Sequence, residues 1–163
     1  FGNNNSYCQD NEISWIDWSL LKKNKELFEF FKFMIAYRKK HPVIRKKLDN
    51  AVCGMEGMHA HDVNADRMEV SQNAKTLAVS FAGYDRKKCK DDLVYVAVNA
   101  YWEEVRITLP NLANHGAWYL SVDTYGDENG KYCYEEGEEI RIDHEYVMKP
   151  RSIVVLTGRE VLR

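Results

Sequence analysis

The clearest hydrophobic pattern lies in residues 24–41, NKELFEFFKFMIAYRKKH. At ~100° per residue, Leu27, Phe28, Phe30, Phe31, Met34, Ile35 and Tyr37 fall within about half the circumference of a helix. Glu29, Lys32, Ala36, Lys39 and Lys40 take the other half, with Phe33 just outside the apolar arc and Arg38 inside it near the end. Asn24 is placed to cap the helix and Glu26 sits in its first turn. Pro42 ends it, because a residue before proline resists the α region, and opens the short turn PVIRKK. So broad an apolar face needs much covering surface.

Beyond residue 50 the period shortens. In TLAVSFAG, Leu77, Val79 and Phe81 alternate with Thr76, Ala78 and Ser80, which is strand spacing. DLVYVAVNA is apolar on both faces, as a central strand is. VRITLP alternates Val105, Ile107 and Leu109 until Pro110 stops it. AWYLSVDT places Trp118, Leu120 and Val122 at every second position, and EIRID and SIVVLTG complete the set. Asn129-Gly130 signals a tight turn. About seven or eight short strands without intervening helices predict a mainly β chain, an antiparallel β-sandwich preceded by one long α-helix. The boundary falls near residue 50, giving segments 1–50 and 51–163, with a join around 48–67.

The chain has 163 residues, 45% of them hydrophobic and 29% charged, which suits one globular domain, or one with an appendage. A net charge of −2 predicts neither nucleic-acid nor anionic-membrane binding, and no run of ~18 apolar residues is present to span a bilayer. The halves differ: residues 1–50 hold ten Lys/Arg against six Asp/Glu, and the rest hold thirteen against nineteen. A nucleic-acid patch on Lys22, Lys23, Lys25, Arg38–Lys40 and Arg45–Lys47 is one reading. We read the run instead as the solvated side and C-terminal end of the helix, where cations suit the dipole. Cys8, Cys53, Cys89 and Cys133 form no CxxC or zinc spacing, which predicts reduced thiols in a cytosolic protein.

Three places offer candidate chemistry. His59, His61 and Asp62 in HAHD are possible metal ligands, but no second cluster completes a shell and an ordinary polar loop is the simpler reading. No nucleophile motif surrounds Cys53, despite nearby His59. Asp10 and Glu12 form a carboxylate pair near Tyr7, Trp15 and Trp18. Residues two apart satisfy either spacing used in glycoside hydrolysis, so their proximity decides nothing. Turn bonding by Asp10 and Asn11 explains them more simply. The asparagines and aromatic rings of residues 1–18 together suit a sugar, which needs both amide partners and flat apolar faces. Tyr101-Trp102 and Trp118-Tyr119 are either sugar-stacking platforms, with Trp102 and Trp118 as the rings, or core and edge packing, which we favour.

GNNNSYCQDNEISWIDW, residues 2–18, resembles the segment after the eighth barrel strand of α-glucan debranching enzymes of the isoamylase and glycogen-debranching type, in the α-amylase superfamily. Gly2 to Glu12 match the family's Gly-Asn-Asn-Asn-x-Tyr-Cys-Gln-Asp-Asn-Glu motif, and Trp15 to Trp18 match its W-x-D-W. YRKKHPVIRKK, VYVAVNAYWEEVRITLP, WYLSVDT and KPRSIVVL resemble later family segments. The likeness is weakest at 53–75.

The resemblance implies a (β/α)8-barrel glycoside hydrolase that cleaves α-1,6 branch linkages in glycogen- or starch-like glucans with retention. It implies that residues 1–50 are the barrel's last loop and helix, and that 51–163 are its C-terminal sandwich. The family's three catalytic carboxylates fall upstream, so no catalytic residue is expected in this chain. Asn3, Asn4, Asn5, Tyr7 and Asp10 are expected to border the substrate cleft. No metal and no cofactor are implied. The implied partner is an α-glucan, with neither nucleic acid nor membrane, in the cytoplasm. The wide apolar face of residues 27–37 predicts self-association of the chain. The alternatives are a glucan-binding sandwich module, or a free-standing sandwich that uses the helix as a dimer contact.

Overall fold

A computed structural model describes residues 7–65, 67, 74–113 and 116–159. Helix α1 spans Lys25–Lys40. Among the described residues eight strands follow: β1 Met58–His61, β2 Thr76–Asp85, β3 Lys90–Asn99, β4 Val105–Thr108, β5 Ala117–Asp123, β6 Ile140–Ile142, β7 Glu145–Met148 and β8 Ile153–Arg159. A six-stranded sheet has the order β1-β2-β3-β8-β5-β6 and a two-stranded sheet pairs β4 with β7. All these pairings are antiparallel. The mainly β sandwich with one long helix expected from the sequence is therefore present.

The large sheet is buried on both faces. On one, Tyr95, Ala97, Trp118, Leu120 and Leu156 meet Ile107, Leu109 and Met148 from the small sheet and its flanks. On the other, Val94, Val122 and Val155 meet Tyr37 and Val43 at the end of α1. Strand β3 supplies both cores, because alternate residues point to opposite faces. Its near-continuous apolar run follows from that central position.

The helix differs from expectation in how it is covered. Phe30, Phe33, Met34 and Tyr37 pack on the sheet, so Phe33 lies within the docked stripe rather than outside the apolar face. Leu27, Phe28, Phe31 and Ile35 occupy the adjacent stripe and are exposed. The sequence arc was two faces side by side, and the sandwich covers only one. Asn24 stands at the N-cap, but its side chain makes no capping bond. Pro42 does begin a 3-10 turn, Pro42–Ile44.

Two further departures have physical causes. A β-bulge shifts register between Leu120 and Val122, so Trp118 and Leu120 face the small sheet while Val122 faces the helix. An extra residue reverses which face the following side chains take. Strand β1 forms where a polar loop was expected, pairing Met58–His61 with Ala78–Phe81. Gly83 lets the preceding chain cross β2 closely: a Cβ there would lie 2.6 Å from Leu48 Cβ.

Candidate functional site

The leader is held by its own polar side chains. Asn11 Oδ1 accepts from Ile13 N at 3.0 Å, an Asx turn. Asp10 Oδ1 accepts from Trp15 Nε1 at 2.9 Å. Asp17 Oδ1 accepts from Ser19 N at 2.9 Å, capping the 3-10 turn Trp18–Leu21. The Ser19 hydroxyl and amide hold the Asp17 carboxyl below its usual range. Asp10 thus braces a turn, and Tyr7 is exposed. Asn3, Asn4 and Asn5 lie outside the described residues. Trp15, Ile16 and Trp18 from the leader and Leu27, Phe28 and Phe31 from α1 line a groove of about 990 Å³.

The two candidate stacking residues separate. Trp118 is only 1% exposed. Its Nε1 donates to Pro110 O at 2.8 Å, and its ring meets Tyr95 at 5.7 Å. A ring enclosed in this way offers no face to a sugar, so Trp118 is corrected from candidate platform to core residue. Trp102 is 66% exposed on the β3–β4 connection. Its ring lies 4.3 Å from that of Tyr101, which carries the Lys75 ammonium 3.6 Å above it. Asn99 holds this loop by donating to Glu103 O and Lys149 O, both at 2.9 Å.

HAHD is also resolved by its strand. His61 is buried in β1, its Nε2 2.9 Å from Ser80 Oγ and its ring 5.5 Å from that of Tyr95. His59 contacts Glu56 at 3.0 Å. Among the described residues no three His, Cys, Asp or Glu side chains gather in a metal-holding group. Burial pushes the Cys53 thiol up, and pushes Cys133 up to about 11 with help from Glu135. Both stay protonated at neutral pH, which withholds the reactive thiolate.

The sequence reading missed the buried polar joints between helix and sheet. His41 Nδ1 donates to Asp92 Oδ1 at 2.6 Å, and Val43 N donates to Asp92 Oδ2 at 3.0 Å. The next-door carboxylate, Asp91, accepts from Val52 N and Cys53 N, each at 2.8 Å. The hydroxyls of Tyr37, Thr157 and Ser121 form a chain with links of 2.8 Å. Burial pushes the Tyr37 phenol up to about 12, partly offset by those hydroxyls. Tyr146 donates to Asp123 Oδ2 at 2.7 Å, and burial, then Asp123, raises its pKa. No spacing rule joins partners 51 residues apart such as His41 and Asp92.

Against this geometry, the family model "Isoamylase, C-terminal" matches residues 46–157. The chain belongs to the isoamylase C-terminal family. This isoamylase C-terminal chain is 51% identical over 47 residues to a glycogen operon protein GlgX homolog of Mycobacterium bovis, covering 29% of the chain and 6% of that protein. It is 26% identical over 122 residues to the isoamylase of Pseudomonas amyloderamosa, covering 75% of the chain and 16% of that enzyme. Chloroplastic isoamylase 3 of Oryza sativa subsp. japonica is 28% identical over 125 residues, 76% of the chain and 15% of that protein. In fold, it superposes on pullulanase type I from Bacillus subtilis str. 168, solved with maltose, at a TM-score of 0.56 and 20% identity. That match covers 89% of this chain and 17% of the pullulanase. The chain thus spans less than a fifth of the length of each of these relatives.

Proposed function

We propose that this isoamylase C-terminal chain is part of a glycoside hydrolase that cleaves α-1,6 branch linkages in glycogen- or starch-like α-glucans, and that residues 1–163 are themselves structural rather than catalytic. The observation that carries this reading is the half-covered helix. Leu27, Phe28, Phe31 and Ile35 remain exposed beside the Trp15–Trp18 leader, whereas the neighbouring stripe of Phe30, Phe33, Met34 and Tyr37 packs on the sandwich. Contiguous apolar surface of this kind marks a contact with more protein. A catalytic barrel is the cover we assign to it. On this reading residues 1–50 belong to the barrel and 51–163 to the sandwich. Asn3, Asn4, Asn5, Tyr7 and Asp10 border its cleft, and the catalytic carboxylates stand on other barrel strands. The names of the relatives, isoamylase and glycogen operon protein, support the same assignment. The four free thiols suit a cytoplasmic location. Incubation of residues 1–163 with a branched α-glucan is expected to release no linear chains. Clear turnover by this chain would overturn the structural role.

A second reading is favoured by the exposure of Trp102 and its stack with Tyr101. The sandwich then binds glucan directly, and electrophoresis through glycogen-containing gel shows retardation that Trp102→Ala abolishes. Equal mobility with and without glycogen rejects it.

A further inference from the structure

The basic run at the end of α1 does not stand alone. Lys39, Lys40 and Arg45–Lys47 line a groove whose opposite wall is Arg86–Lys88, from the β2–β3 hairpin. Two segments about forty positions apart in sequence therefore bring eight cations to one groove of about 770 Å³, against two carboxylates, Asp49 and Asp85. Helix-dipole compensation accounts for Lys39 and Lys40 but not for the hairpin, which belongs to a different element.

Most of this charge is unspent. Arg86 pairs with Asp49, Lys88 lies 3.9 Å from Asp85, and Lys40 lies 2.8 Å from Glu136. Lys39, Arg45, Lys46, Lys47 and Lys87 have no acidic partner among the described residues, and all five are exposed. Between the walls Pro42, Leu48 and Tyr84 are half-buried and give the groove an apolar floor. A neutral glucan offers hydroxyl acceptors to these five cations but no charge to balance them.

We propose that this groove binds a short phosphorylated ligand, with clustered phosphate oxygens on the lysine and arginine walls and a sugar or base ring on the Tyr84 floor. Arg and Lys donors suit phosphate oxygens. The charge distribution favours a short ligand over nucleic acid. The whole chain is −2 while the groove is strongly positive, so the rest of the chain carries a net negative charge, which disfavours an anion much longer than the groove. This inference is independent of the branch-cleaving activity.

The test titrates inorganic tripolyphosphate into the 163-residue chain by calorimetry at about 50 mM salt. Saturable one-to-one binding is expected, weakening as salt rises. The Lys46→Glu/Lys87→Glu double variant should weaken it by about tenfold or more, and the Lys46→Gln/Lys87→Gln pair by less. The Gln pair also serves if the reversed-charge protein does not fold. Lys22→Glu/Lys23→Glu, outside the groove, should leave binding unchanged. Tighter binding of adenosine triphosphate than of tripolyphosphate points to a nucleotide. Tighter binding of a phosphorylated malto-oligosaccharide points to phosphate esters on glucan. Absence of saturable binding overturns the proposal, as does equal loss in the Lys22/Lys23 variant. Affinity for a single-stranded oligonucleotide that grows with its length overturns it in favour of a nucleic-acid surface.

Discussion

The His41 imidazole and the Asp92 carboxylate meet at 2.6 Å, both buried where the end of α1 crosses the start of β3. The same carboxylate receives Val43 N, so Asp92 satisfies two donors of the turn that follows the helix. Asp92→Ala leaves two buried donors without a partner and is expected to cost about 2–5 kcal/mol, at about 1–3 kcal/mol for each unsatisfied buried group. Asp92→Asn retains an acceptor for Val43 N and should cost less, about 1–2 kcal/mol. Urea unfolding midpoints at unchanged slope measure both. Equal stability of the Ala variant and the wild type would show that the joint carries no load.

Tyr37 sets an alkaline limit. An unfolded tyrosine ionises near about 10, whereas burial holds the folded Tyr37 phenol until about 12. Between those values the unfolded chain has lost a proton that the folded chain keeps. Stability therefore falls as pH rises through that window and is unaffected below it. The loss attributable to Tyr37 reaches about 2–3 kcal/mol at the top of the window. Tyr37→Phe should be about 1 kcal/mol less stable at neutral pH, through loss of the bond to Thr157. Its alkaline decline should be shallower, and unfolding midpoints from neutral to strongly alkaline pH test the crossing of the two curves.

The two tryptophans that look alike in sequence should behave oppositely. Trp118→Ala empties the centre of the sandwich and is expected to cost about 3–5 kcal/mol. Trp102→Ala removes an exposed ring and should stay within about 0.5 kcal/mol. Thermal melts separate them. A large loss at Trp102 would mean that its stack with Tyr101 holds the loop, and would remove the basis for a glucan platform there.

The exposed stripe of α1 predicts self-association. Sedimentation of the 163-residue chain should show oligomers, and Phe31→Glu/Ile35→Glu should shift it toward monomer. A wild-type chain that is monomeric at high concentration argues against this contact between copies.

What the sequence made legible was what periodicity encodes. The helix at 25–40 and the doubly apolar β3 follow from local spacing. Strands β1 and β7 were not foreseen, because MHAH and EYVM are short and depend on distant partners: β1 on β2, β7 on β4. The bulge near Ser121 was equally hidden, since a flawless alternation in sequence says nothing of a register shift. At the leader, motif content could be read, but Asp10 as brace to the Trp15 indole could not. The basic groove was half visible: the cations of residues 38–47 were counted, but Arg86–Lys88, their opposite wall, drew no reading because nothing local brings the two together.

Asp91 and Asp92 are consecutive on β3, and neighbours on a strand point to opposite faces. One grips Val52 and Cys53, and the other grips His41 and Val43. The stretch between helix and sandwich is therefore anchored at both ends to a single dipeptide. A piece of chain that reads as a linker is instead a fixed elbow, and any body that binds the open side of α1 receives the sandwich at a set angle. It also makes the molecule hard to divide. A protein trimmed to start at residue 51 would lose Tyr37 and Val43 from above Val94, Val122 and Val155, and so bare a sheet face that the helix now keeps dry.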